Sequence, residues 1–195
     1  MPSNEKNIMI VGVGGQGSLL ASRIIGNAVL LQNYDVKVSE VHGMSQRGGS
    51  VVTYVKYGEK VYSPVICRGE ADIILSFEQL EAARWVSYLK HGGVIILNTQ
   101  KINPMPVITG AAEYPQNSID IMNESGIKTI SADALELARR AGNVKAVNVV
   151  LIGIMAAYME FSDDIFREAI KMSVNPNFFE VNIKAYELGR MYNVK

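Results

Sequence analysis

A six-residue glycine cluster, Gly12-Val13-Gly14-Gly15-Gln16-Gly17, constrains the fold of this chain more than any other feature. It follows an apolar run, Lys6–Val13, and precedes Ser18–Leu31, where Leu19, Leu20, Ile24 and Ala28 recur near one helical face. Asp35–Val41 then reads as a second strand, with Val36, Val38 and Val41 inward. A strand, a glycine turn, a helix and a strand open a parallel α/β sheet. The cluster fits G-x-G-x-x-G in the strand-to-helix context that the pattern needs. Its first glycine permits a tight turn, its second a close approach of backbone to an anion, and its third close packing of helix on strand. Amide groups and the dipole at the helix start favour phosphate or another anion. A purely architectural role for the glycines accounts for the same pattern.

Further along, His42–Ser50 is polar and glycine-rich and reads as a loop. Val51–Tyr57 reads as a strand, Gly58-Glu59 as a two-residue turn, and Lys60–Ile66 as the return strand of an antiparallel hairpin. Pro64 places that return strand at an edge. Ala71–Leu75 and Val94–Asn98 are buried strands. Between them a helix carries Ala82, Trp85, Val86 and Leu89, with Ser76 and Gln79 as a capping box and Gly92-Gly93 as its stop. Ile119–Glu124 and Ala132–Ala141 read as helices around a strand at Lys128–Ser131. Ala146–Met159 is apolar on nearly every face and reads as a buried helix with Met155 and Met159 as core filler. Two helices close the chain, near Asp163–Met172 and Asn177–Met191, the latter started by Asn175-Pro176. The expected fold is one domain over residues 1–195. It is a three-layer α/β/α arrangement with a mostly parallel sheet and an appended antiparallel hairpin.

Composition narrows the function. The 195 residues carry 19 Lys+Arg and 19 Asp+Glu, so there is no basic surplus for a nucleic-acid footprint. A neutral chain is poorly protected from association, which favours a partner chain. The single cysteine, Cys67, permits no internal disulfide and cannot supply the several thiolates of an iron–sulfur cluster or structural zinc. Two histidines, His42 and His91, are too few for a His-rich metal site, and no metal ligand set is expected. The longest apolar stretch, Val149–Met159, is too short to span a bilayer. The first residues lack the basic-then-apolar order of a signal peptide. The expectation is therefore a cytoplasmic protein with no membrane segment.

A dinucleotide-binding reading needs an acidic residue about 20 residues after the glycine turn, and Glu40 stands near that position. A self-sufficient nucleotide-binding oxidoreductase is thus allowed. The next segment is denser in polar residues and glycine than one ribose contact requires: Glu40-Val41-His42-Gly43-Met44-Ser45-Gln46-Arg47-Gly48-Gly49-Ser50. Polar, glycine-rich loops often carry sites. Together with Gly12–Gly17, this segment resembles the gamma-type subunits of 2-oxoacid:ferredoxin oxidoreductases, over nearly the whole chain. Within that family the resemblance is greatest to subunits of complexes that act on aryl pyruvates.

The resemblance implies a subunit that is inactive alone. A large partner would carry thiamine diphosphate with Mg and the [4Fe-4S] clusters, coenzyme A would be the co-substrate, and ferredoxin would be reduced through the complex. Aryl pyruvates would be oxidatively decarboxylated to aryl-acetyl-CoA. A gamma subunit for pyruvate, 2-oxoglutarate or branched-chain 2-oxoacids is the nearest alternative, and a non-catalytic docking scaffold is another. The assembly would be a hetero-oligomer, with a homodimer of the isolated chain allowed. By the same resemblance the loop of Gly12, Gly14, Gly15, Gln16 and Gly17 lines the coenzyme A path. Arg23 stands there in place of a lysine, keeping the charge but not the geometry.

In the second loop Arg47 is the chosen catalytic candidate, because a guanidinium binds carboxylate or phosphate bidentately. An interface ion pair explains it equally. His42 is an assisting proton carrier near neutrality or a loop-ordering residue. Ser45 and Gln46 are candidate substrate or cofactor contacts, and Met44 a partner contact. Glu40 holds a ribose or caps the loop, and the second reading is preferred. Cys67 beside Arg68 reads as incidental, and His91 as a helix C-cap.

Overall fold

The computed structural model describes residues 5–42 and 49–192, with only the main chain at position 42. The candidates Arg47, Ser45, Gln46 and Met44, and the His42 side chain, lie outside that description. In chain order the elements begin with β1 (Lys6–Val13), α1 (Ser18–Leu31), β2 (Asp35–His42), β3 (Ser50–Gly58), β4 (Ala71–Ser76), α2 (Gln79–Trp85) and β5 (Leu89–Asn98). They continue with α3 (Met105–Ile108), α4 (Ser118–Glu124), β6 (Lys128–Ala132), α5 (Ala134–Ala141), α6 (Val147–Ala156), α7 (Asp163–Ser173) and α8 (Phe179–Arg190).

Among the described residues the strands form one mixed sheet in the order β2-β3-β1-β4-β5-β6. Strands β1, β4, β5 and β6 run parallel, and β3 is antiparallel to both of its neighbours. Alternation along each strand divides the core in two. Ile8, Ile10, Ile73, Leu75 and Ile96 face α1, α5, α6, α7 and α8. Met9, Val11, Ile74, Ile95 and Leu97 face the α2 and α4 side with Ala82 and Met122. This is the expected three-layer class. Each large apolar side chain so buried contributes about 1.5–3 kcal/mol.

The antiparallel pair differs from its expected composition. Lys60–Ile66 forms no strand. Both edges of β3 are already hydrogen-bonded, to β1 on one side and β2 on the other, so no edge is left for a return strand. The hairpin is β2–β3 instead. Residues 60–66 are pinned beneath by buried Val61 and Ile66, and the Val61 N–H donates to Asp35 Oδ2 (2.9 Å). As a second consequence β2 is not adjacent to β1.

Two further expectations are corrected. The helix after β4 stops at Trp85, a 3-10 turn follows, and β5 begins at Leu89. Gly92-Gly93 is therefore no helix stop, and His91 is an exposed strand residue rather than a C-cap. A Cβ at Gly93 would lie 3.0 Å from the carbonyl oxygens of Ala71 and Asp72, where the β4–β5 register shifts. The glycine pair serves that irregularity. The N-cap of α2 is Glu78, not Ser76; its carboxylate accepts from the Glu81 N–H, and the Ser76 hydroxyl donates to the Glu78 carbonyl (2.6 Å). The apolar segment near residue 150 is the buried helix expected. Met155 is fully buried and Met159 nearly so.

Candidate functional site

The glycine turn stands at the carboxyl end of β1, at the point where the chain leaves the centre of the sheet in two directions. Chain from β1 passes through α1 toward β2, while β4 lies on the other side of β1. Such a switch point is where open α/β sheets place ligands.

Within the turn, the Gly14 N–H donates to Gly49 O (2.9 Å) and the Gln16 N–H to Val13 O (3.2 Å). The Gln16 side chain folds back: Oε1 accepts from the Val13 N–H (2.7 Å) and Nε2 donates to Phe77 O (3.0 Å). Gly12 makes room for this, since a Cβ there would lie 2.8 Å from Gln16 Oε1 and 3.1 Å from Phe77 Cβ. Gly17 has φ +88°, and a Cβ there would meet Asn148 Nδ2 at 2.7 Å. Asn148 Nδ2 donates to the Gly17 carbonyl, tying the turn to the buried helix α6 (3.2 Å). Gly15 is the open point of the turn: nothing lies within 4 Å of where its Cβ would stand.

Helix α1 has no side-chain cap and no acidic residue in its first turn, so its positive end is not neutralised from within the helix. Ser18 Oγ donates to Glu40 Oε1 (3.4 Å), which brings the β2 carboxylate to the start of α1. This contact links the start of α1 to β2. Arg23 is exposed on α1, about 7.5 Å along the axis from Ser18, and forms no salt bridge among the described residues.

The roots of the second motif meet this turn. His42 ends β2 opposite Val51 and Ser50 pairs with Val13, so the chain on either side of segment 43–48 stands at the same end of the sheet as the glycine turn. Gly49, its last neighbour, accepts the Gly14 amide. Ser50 Oγ donates to Glu81 Oε2 (2.5 Å), and Arg84 Nη1 donates to Glu81 Oε1 (3.0 Å). Glu81 is 3% exposed, so this is a charge-assisted anchor in a buried setting.

Sequence reasoning missed the polar ridge that fixes these ends. Glu78 is 1% exposed; its carboxylate accepts from the Tyr114 hydroxyl (2.5 Å), the Ile102 N–H (3.0 Å) and the Glu81 N–H (2.9 Å). Burial, and then the bond to Glu78, raise the Tyr114 hydroxyl pKa well above the usual tyrosine value. Asn98 Nδ2 donates to Phe77 O (3.3 Å), and its Oδ1 accepts from the Ala134 N–H (3.1 Å). Two acids directly after a buried strand, Glu78 and Glu81, were the available signal. Their partners come from distant segments. Cys67 is exposed, and Arg68 beside it is exposed too.

Among the described residues no group of three or more His, Cys, Asp or Glu side chains is arranged to hold a metal ion. None of the described helices is long and apolar enough to cross a membrane.

A strand-to-helix glycine turn abutting the root of a second glycine-rich loop defines the class. The model of the pyruvate ferredoxin/flavodoxin oxidoreductase family matches residues 7–192, and the chain belongs to that family. It is 46% identical over 192 residues to indolepyruvate oxidoreductase subunit IorB of Thermococcus kodakarensis, covering 95% of this chain and 94% of the relative. The subunit of the same name from Archaeoglobus fulgidus is 39% identical, covering 94% and 92%. In structure, the chain superposes on pyruvate oxidoreductase subunit PORC of Thermotoga maritima with TM-score 0.72 at 17% identity, covering 95% of this chain and 94% of that one. The family expected from the two glycine motifs is therefore the family found, and these relatives are oxidoreductase subunits.

Proposed function

We propose that this chain is the smaller subunit of an indolepyruvate ferredoxin oxidoreductase, acting in the cytoplasm as one gamma-type unit over residues 1–195. Its large partner would hold thiamine diphosphate, Mg and the [4Fe-4S] clusters. The identity to IorB relatives over nearly the full length supports the aryl-pyruvate reading. The observation that carries a site role is the Gly14–Gly49 contact, which joins the two motifs at one end of the sheet.

In the reaction a 2-oxoacid loses its carboxyl group as carbon dioxide. Coenzyme A takes the acyl group, and two electrons pass singly to ferredoxin. Thiamine diphosphate, bound in the partner, would supply the electron sink for this decarboxylation. This chain's contribution is binding and orientation. The open main chain at Gly15 and Arg23 offer positive potential to the phosphates of coenzyme A, with the Glu40 carboxylate offsetting part of the dipole at the start of α1. Gln16 holds the turn rigid, Arg47 would bind a carboxylate or phosphate of substrate or cofactor, His42 would assist proton transfer, and Ser45 and Gln46 would contact cofactor or substrate.

The test is reconstitution under anaerobic conditions. Coenzyme-A-dependent viologen reduction is followed with this chain alone, the partner alone and the mixture. Activity in the mixture only, led by indolepyruvate and phenylpyruvate, is expected. A lead by pyruvate or 2-oxoglutarate would keep the family and change the substrate. A formed complex without turnover on any 2-oxoacid would overturn the proposal. In the active complex Arg23→Ala should raise the coenzyme A KM, and Arg47→Ala should lower turnover with assembly intact.

A further inference from the structure

At the amino ends of β1, β4, β5 and β6 the molecule opens into a cavity of about 500 Å³. It lies at the opposite end of β1 from the glycine turn, roughly 25 Å away at about 3.3 Å per residue. Ile8, Ile73 and Val94 line it from the sheet, and the α6–α7 connection lines it with Tyr158, Met159, Glu160 and Phe161.

One end of this trough is aromatic. Tyr34 and Tyr57 meet edge to face at 6.0 Å between centroids, Tyr34 stacks on Phe161 at 6.3 Å, and Tyr57 lies 5.8 Å from Phe161. Tyr57 is buried, whereas Tyr34 is 38% exposed and leaves part of its surface to an occupant. Lys6 stands at the same end, directly opposite Tyr57 in the β1–β3 register. Its ammonium has neither an ion pair nor a hydrogen bond among the described residues.

The other charges on the lining are Lys90, Asp72, Lys128 and Glu160, and among the described residues Glu160 has no ion pair. Lys90 pairs with Asp72 Oδ1 (3.0 Å), and Asp72 Oδ2 accepts from the Asn7 N–H (2.9 Å). Lys128 lies over the Tyr158 ring at 4.7 Å, three strands from Lys6 and roughly 14 Å away at about 4.8 Å per strand. With Glu160 on the lining, three lysines face two carboxylates, leaving a single net positive charge when His91 is neutral. That balance suits a monoanion and disfavours a phosphate polyanion. The volume lies in the range of small-molecule sites, and a ring can add to an edge-to-face cluster.

We infer that this cavity binds a small aromatic monocarboxylate, with its ring against Tyr34 and Phe161 and its carboxylate on the Lys6 ammonium. The site is separate from the glycine turn, and the inference does not rest on the proposed activity. A ligand here would act on the chain from a distance rather than react.

The test is isothermal titration of the full chain with phenylacetate and 2-naphthoate. Cyclohexylacetate serves as the carboxylate without an aromatic ring, and AMP as the aromatic polyanion. Saturable one-site binding of both aromatic acids is expected. It should weaken at least about tenfold, or about 1.4 kcal/mol, with cyclohexylacetate and in Lys6→Gln or Tyr34→Leu. Lys128→Gln and Arg23→Gln should bind as the wild type does. Lys6 is exposed and Tyr34 partly so, and circular dichroism of both variants checks that the fold is retained. Three results would each overturn the inference: no saturable binding at millimolar aromatic acid, undiminished binding by Lys6→Gln, or tighter binding of AMP than of phenylacetate that Lys6→Gln also weakens.

Discussion

Gln16 and Phe77 are joined across the carboxyl ends of β1 and β4 by a 3.0 Å hydrogen bond from the Gln16 side-chain amide to the Phe77 main-chain carbonyl. The same side chain accepts from the Val13 N–H, so one glutamine closes its own turn and fastens it to the neighbouring strand. The middle of the glycine motif is thus held by a side chain as much as by the glycines.

Gln16→Ala removes both bonds and should cost about 1–3 kcal/mol. Gln16→Glu keeps the acceptor for Val13 but sets a carboxylate against the Phe77 carbonyl, so it should not restore stability. Urea denaturation of the two variants checks this; full stability in Gln16→Glu would show that the Phe77 bond contributes nothing.

Two glycines in the helical layer should respond in opposite directions. A Cβ at Gly153 would lie 2.2 Å from the Tyr186 carbonyl oxygen, where α6 crosses α8, and no flexible side chain is there to yield. Gly153→Ala should force the helices apart and cost about 3 kcal/mol, at the upper end of overpacking. Gly26, inside α1, has nothing within 4 Å of its Cβ position. Gly26→Ala should stabilise by about 0.4–1 kcal/mol through the unfolded state. Thermal melts of the pair measure both signs.

The Ser50–Glu81 bond should matter to the second loop. Ser50→Ala leaves a buried carboxylate oxygen short of a donor and should cost about 1.5–3 kcal/mol, while Ser50→Thr should retain most of the stability. Hydrogen exchange at the Gly14 amide reads the local effect, because that amide donates to Gly49. Protection unchanged in Ser50→Ala would separate the two contacts.

Stability should fall at both pH extremes for identifiable reasons. Burial raises the hydroxyls of Tyr57, Tyr114 and Tyr186 well above the ordinary tyrosine value. The unfolded chain ionises near pH 10 while the folded one does not, so this contribution is present below about pH 10 and is lost as pH rises beyond it. Asp163 behaves oppositely: its bonds to Arg190, first, and to Tyr186 hold its carboxyl below the usual range. Its contribution is present above the unfolded value of about 3.9 and is lost as pH falls through the folded value. Tyr57→Phe should flatten the alkaline limb of a stability–pH curve and Asp163→Asn the acid limb.

Much of the fold was legible in the residues because its signals are local. The apolar run at β1, the glycine turn and the helix Ser18–Leu31 follow from periodicity and turn chemistry within a few positions. The hairpin was misread because Val51–Tyr57 and Lys60–Ile66 are both β-prone and separated by a turn pair, and local patterning does not say which strand takes which edge. At the site, Glu40 and the glycines were visible, whereas Glu78, Glu81, Asn98 and Tyr114 were not, since each matters only through a partner far along the chain.

By itself the sequence determined the class of layer packing, the strand-to-helix glycine turn and the two motifs that mark the family, because these depend on short-range geometry and residue chemistry. Tertiary structure alone decided that β3 separates β2 from β1, that Gln16 locks onto Phe77, and that a lysine and an aromatic cluster share a cavity at the far end of the sheet. Those outcomes depend on which segments compete for a strand edge or a buried polar partner, and that competition is settled only when the whole chain packs.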